Sequence, residues 1–118
     1  MAEKLEEVKK AAQVRADELT QSMGIKVHPL VFMTQDESEP VVGFVKEPSR
    51  AVKLAVLDKA MIGGFSAANQ MLDVILLKEH SDSRIYSESP EHDKFNLGAT
   101  NAAYELVNIS VNMIDKKK

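Results

Sequence analysis

Three histidines, His28, His80 and His92, and the acids near them are the side chains of this chain with the most chemical potential. His80, Asp82, His92 and Asp93 have the donor types of a metal site, but a long polar stretch separates the two histidines, which lack the close helical spacing that brings both onto one ion. Solvated polar side chains account for them. Glu88, Glu91 and Asp93 would be the carboxylates for acid–base work, yet nothing nearby orients them. Gly63-Gly64 has the glycines of a phosphate cradle, but Phe65-Ser66-Ala67 follows where a P-loop needs its Lys and Ser or Thr. Asn108-Ile109-Ser110 matches a glycosylation acceptor by pattern, inside a segment that reads as helix. No nucleophile, base and orienting partner converge, so the sequence predicts neither an enzyme nor a bound metal or cofactor.

Composition narrows the field further. The 118 residues suit one domain, 1–118, and folding should bury roughly two-thirds of the extended surface. With aromatics at 5% and no Trp, the core falls to Leu, Val, Ile, Ala and six Met. Fifteen basic against 18 acidic residues give a net charge of -3, which does not favour nucleic acid. The Lys116-Lys117-Lys118 end lacks the interleaved aromatics of a single-strand binder. The absence of cysteine excludes disulfides, thiolate zinc sites and cysteine nucleophiles, and fits a reducing compartment. Charges in residues 1–7 stand where a signal peptide needs an apolar run, and no apolar stretch reaches the ~18 residues of a membrane span. A cytoplasmic location is expected, with no membrane partner.

Periodicity then places the elements. Leu5, Val8, Ala12, Ala16, Leu19 and Met23 recur at steps of three and four and predict a first helix over 2–23, capped by Gly24. Two of those positions are Ala, so this helix buries little area per turn and reads as a weakly docked N-terminal element or an arm (1–24). Residues 25–33 and 41–45 predict a β-hairpin around a polar, acidic turn, with Pro29 marking an irregular start or a sheet edge. Two strands alone are marginal, so the hairpin must lie against helices. Pro48 sets the start of a second helix at 47–49. Gly63-Gly64 predicts a corner and Ser66 the N-cap of a third helix, whose inner face holds Ala68, Met71, Leu72, Ile75 and Leu76. Residues 80–91 read as a loop with Arg84-Ile85-Tyr86 its one strand-like fragment. A fourth helix from Asp93 presents Phe95, Ala99, Ala102, Leu106, Ile109 and Met113. The expected fold is α+β and mainly helical, a β-hairpin packed against about four helices.

The run Gly43-Phe44-Val45-Lys46-Glu47-Pro48-Ser49-Arg50 leading into Ala67-Ala68-Asn69-Gln70-Met71-Leu72 resembles the small tail assembly chaperone-like proteins of tailed bacteriophages and prophages. The likeness covers roughly Val27 to Asn108. This chain has Gly63-Gly64 where such proteins often place an Asp-Pro-like break, and its loop lacks their Gly-Asp turn. The resemblance implies a non-enzymatic protein of the host cytoplasm that binds apolar helical segments of a tape-measure protein during virion assembly and acts in several copies. The excess of apolar residues in the second and third helices suits that role. Leu54, Leu57, Met61, Phe65, Met71, Leu72, Ile75 and Leu76 are the residues it would use, and each of them also suits a core. The alternative is a structural or cargo component of the phage particle, held through the first helix and the hairpin edge.

Overall fold

A computed structural model describes residues 2–34, 39–58 and 64–116, with side chains at 4–34, 39–58 and 65–108. Its elements are α1 (Ala2–Met23), β1 (Val27–Phe32), β2 (Val41–Lys46), α2 (Arg50–Asp58), α3 (Gly64–Ile75) and α4 (Asp93–Lys116), with 3-10 turns at Lys78–His80, Ser83–Ile85 and Pro90–His92. Among the described residues this is the expected mainly helical α+β chain, an antiparallel hairpin with four helices. Residues 35–38 of the hairpin's acidic turn and the Gly63 half of the expected corner fall outside the described residues. Helix α3 opens on Gly64, two residues ahead of the expected cap at Ser66.

The hairpin buries side chains on both faces. Its register pairs Val27 with Lys46, Pro29 with Phe44 and Phe32 with Val41. Alternation along each strand sends Val27, Val31, Val42 and Phe44 toward Ala12, Ala16 and Leu19 of α1, and Leu30, Phe32, Val41 and Val45 toward the cluster built by α2, α3 and α4. The alanines of α1 are therefore a close-approach face, and Ala16 is fully buried on the chain's own hairpin. Thr20 Oγ donates to the Ala16 carbonyl at 2.8 Å and accepts the Val27 amide at 2.9 Å, which joins the end of α1 to the start of β1. Gly24 takes φ 72° and returns its amide to the Thr20 carbonyl at 2.9 Å, the expected C-cap. Met23 departs from the expected stripe and is exposed. Met23 lines a shallow cleft with Leu76, Leu77 and His80 instead.

Chain that follows α3 closes the outer edge of β2. The Phe44 and Val42 carbonyls accept the amides of Leu77 and Asp82 at 2.8 and 3.0 Å, and Ser81 Oγ accepts the Phe44 amide at 2.9 Å. Phe44 and Val42 thus turn their backbone polar groups away from β1, and so do their partners Pro29 and Val31. Pro29, expected at an edge, costs the ladder no hydrogen bond there. At the exit from β2 the Glu47 carboxylate takes hydrogen bonds from His28 and Lys53, tying both strands to α2. Ser49 Oγ caps α2 by accepting the Val52 amide at 3.2 Å.

Two expectations need correction. Arg84-Ile85-Tyr86 is not strand-like: Ser83–Ile85 is a 3-10 turn that drives a fully buried Ile85 into the hairpin face of the core. Gly43 makes room for it, since a Cβ there would lie 2.8 Å from Ile85 Cδ1. In α4 the fully buried line is Phe95, Ala99, Ala103 and Val107, with Ala102 and Leu106 only partly buried; Ile109 and Met113 fall outside the described side chains. Steps of four overshoot a full turn by about 40° each, so the buried line winds round α4 as it passes its successive neighbours.

Gly98 lets α4 meet the Phe32 ring, because a Cβ there would fall 2.6 Å from Phe32 Cε2. Gly98→Ala gains about 1 kcal/mol of helix propensity but overpacks the ring at a cost of about 1–3 kcal/mol. The expected outcome is a net loss of stability, with Gly98→Ala/Phe32→Leu losing less than the sum of the two single variants in urea denaturation. Additive losses would show that the ring does not set the constraint.

Candidate functional site

The structure splits the eight residues expected at a partner surface. Met71, Leu72, Ile75 and Leu76 are buried in the main core, so they do not form a free surface, which corrects that part of the expectation. Their helix faces α4, α2 and the hairpin at once, and that demand absorbs the apolar excess of α3. Leu57 is half-buried against the same cluster. Leu54 and Phe65 are exposed, at 52% and 44%, and Met61 lies outside the described residues.

Phe65 belongs to a concave surface that the sequence did not announce. One cleft, of about 500 Å³, lies between α3 and α4 with Phe65 and Leu97 at its mouth. A second, of about 530 Å³, lies between α3 and residues 86–93, with Val74 and Tyr86 on its walls and Leu72 and Leu76 at its base. Asn69, Gln70, Asp93 and Asn96 line both, so the two form one groove along the outer side of α3. Its apolar ends are open to solvent: Leu97 is 49% and Val74 66% exposed. Both residues are out of phase with their helix's buried stripe, flanked in α3 by Leu72 and Ile75 and in α4 by Phe95 and Ala99. That mismatch is the signal that could have found them.

Amide side chains join the two halves of the groove. Asn69 Nδ2 donates to Asn96 Oδ1 and to Thr100 Oγ, both at 2.8 Å. Thr100 Oγ donates to the Asn96 carbonyl at 2.9 Å, and Asn96 Nδ2 to the Ile85 carbonyl at 2.9 Å. One network therefore fixes α3 to α4 and both to the turn that carries Ile85. The same turn is locked by Arg84, whose guanidinium forks onto Asp82 through Nε at 3.0 Å and Nη2 at 2.8 Å and lies 4.2 Å from the Phe95 ring centre.

The histidines and acids considered for a metal do not converge. Asp82 is engaged by Arg84, and His92 Nδ1 shares a hydrogen bond with Ser87 Oγ at 2.8 Å. Among the described residues no group of three His, Cys, Asp or Glu is placed to hold an ion. Hydrogen bonding from Arg84 holds the Asp82 carboxyl below its ordinary pKa against the opposing effect of burial. Burial pushes the Glu47 carboxyl up, but Lys53 and His28 together outweigh it and hold the pKa below the usual value. Both are structural ties outside the groove lining. Among the described residues no helix is long and apolar enough to cross a membrane. Comparison with protein-family models, curated proteins and solved structures finds no match for the chain.

Removing the amide tie tests what holds α3 to α4 beside the groove. Asn69→Ala strips donors from Asn96 and the fully buried Thr100 and should cost about 1–2 kcal/mol, read as a lower urea midpoint at unchanged slope. Asn69→Asp should cost more, because it sets a carboxylate against two acceptors. A neutral result for both would remove the network from the stability of the groove.

The two depressed carboxyls give a pH dependence of definite sign. Near pH 4 the unfolded chain binds more protons at Glu47 and Asp82 than the folded chain does, so stability is present above their ordinary pKa values of 4.5 and 3.8 and is lost as pH falls through the lower folded values. Glu47→Gln and Asp82→Asn should each lower stability at pH 7 by less than about 1 kcal/mol, because both sites are partly open to solvent. Each should also flatten the fall of the urea midpoint between about pH 6 and pH 3. A wild-type midpoint that does not fall over that range would contradict the assignment.

Proposed function

We propose that this chain is a non-catalytic binding protein of the tail assembly chaperone type, which holds apolar helical segments of a tape-measure protein in the host cytoplasm until tail subunits assemble around them. The observation that carries this reading is the groove along α3, with Phe65 and Leu97 at one end and Val74 and Tyr86 at the other. These residues are exposed, and a bound helix would cover them. Phe65 and Val74 stand nine residues apart on opposite rims of α3, with Leu97 and Tyr86 on the facing segments, so the apolar groups are spread along the groove rather than converging on a point, as in a helix-in-groove site. Self-association is part of the reading, as the resemblance implies.

The hairpin edges favour this role over that of a permanent particle component joined by strand addition. The edge of β2 is taken by Leu77, Ser81 and Asp82, and the edge of β1 has Pro29, without an N–H, in its middle. Co-purification from the host during particle assembly separates the two roles. Recovery of a long helical protein with this chain, together with the chain's absence from finished particles, is the expected result. Phe65→Ser/Val74→Ser should reduce that recovery at least several-fold. The chain found stoichiometrically in mature particles would instead establish the structural role.

A further inference from the structure

The charged side chains that line the groove are all acidic, while Lys78 Nζ stands outside the lining, 5.8 Å from the centre of the Tyr86 ring. Asp73, Glu88 and Asp93 line it, and no Lys or Arg is among its lining residues. Asn69 adds to this bias: both of its amide hydrogens are spent on Asn96 and Thr100, which leaves Oδ1 as an acceptor without a donor among the described residues. Helix α3 is one wall of both clefts and α4 the other beside Phe65 and Leu97, and a helix satisfies its own backbone groups; beside Val74 the facing wall is the irregular stretch 86–89. The helical walls have no free row of N–H and C=O groups for an extended peptide to pair with, which favours an occupant that satisfies its own backbone, as a helix does. From Phe65 to Val74 the site spans nine residues of α3, about 14 Å at 1.5 Å per residue, or two to three turns of a bound helix.

We infer that the groove selects an amphipathic helix of another protein that carries Lys or Arg beside its apolar stripe. The apolar stripe would cover Phe65, Leu97, Val74 and Tyr86, while the cations meet Asp73, Glu88 and Asp93. Burying those acids under an uncharged helix would cost their hydration with no return, whereas a cation repays it. This inference rests on the binding role proposed above and adds the charge of the partner segment to it. A second copy of this chain is the competing occupant, and the measurement below separates the two.

The test uses three labelled peptides of about 18 residues with one leucine stripe at helical spacing and a polar face of Lys, of Gln or of Glu, read by fluorescence anisotropy on the full chain. The Lys peptide should bind roughly tenfold or more tighter than the other two at low salt, and the gap should narrow as salt rises. Asp73→Lys/Glu88→Lys should turn the preference toward the Glu peptide. Glu7→Lys/Asp17→Lys, on α1 across the hairpin, makes the same change in net charge and should leave the preference as it was. All four positions are exposed, so these variants should keep the wild-type circular dichroism.

Equal binding of all three peptides, weakened by Phe65→Ser/Val74→Ser, would overturn the charge inference and leave the helix-binding role standing. Absence of binding by any peptide, or binding indifferent to Phe65→Ser/Val74→Ser, would overturn both. A drop in sedimenting mass caused by Val74→Ser would assign the groove to a second copy and overturn the inference of a foreign helix.

Discussion

A two-stranded hairpin with apolar side chains on both faces cannot stand in water, and the rest of this chain is arranged around that constraint. Val27, Val31, Val42 and Phe44 need one cover, and Leu30, Phe32, Val41 and Val45 need another. α1 is the first cover and has small residues at the contact, so the helix approaches closely with little side-chain volume between. The second cover must be broader, because on this face Gly43 of one strand and Phe32 of the other receive Ile85 and Gly98. Each of those contacts works by omission of a Cβ, and each joins a distant segment to a definite place on the hairpin.

The groove follows from the same demand. After α3 the chain must return to close the edge of β2, which it does at Leu77, Ser81 and Asp82. It must then place Ile85 in the core before α4 begins. The polar stretch from Tyr86 to His92 is what remains between that buried residue and the start of α4, and it passes beside α3 without packing flush against it. A concavity is left with an apolar base from the core and polar walls from the return segment. Its amide network serves both sides: it fixes α3 to α4 from below and limits which polar groups the groove shows above.

Helices and hairpin were legible because each has a one-dimensional signature. The three-and-four spacing of α1, the β-branched runs either side of the polar turn, Pro48 and Asp93 all mark features that lie within a few residues of one another. The failures have a common cause. Arg84-Ile85-Tyr86 has strand-like composition, but its conformation is set by Asp82, Arg84 and a glycine on a distant strand. The apolar excess of α3 suggested a surface because sequence cannot say how many neighbours a helix will have; with three, Met71, Leu72, Ile75 and Leu76 all belong inside. The groove was not legible at all, since its lining comes from α3, the return segment and α4.

Phase within a helix holds information about binding that composition does not. In α3 the buried positions recur so regularly that Val74 has no place among them, and in α4 Leu97 stands apart from Phe95 and Ala99 in the same way. Folding gives little reason for an aliphatic residue at either position, because neither belongs to the buried stripe of its helix. A single exposed aliphatic is unremarked on any protein surface. Two of them in one groove, with Phe65 and Tyr86 beside them and acids but no bases among the lining, form an arrangement that the chain's own stability does not require. Residues that stability does not require are where a partner's demands can be read, and the helix proposed for this groove would answer them with an apolar stripe and positive charge.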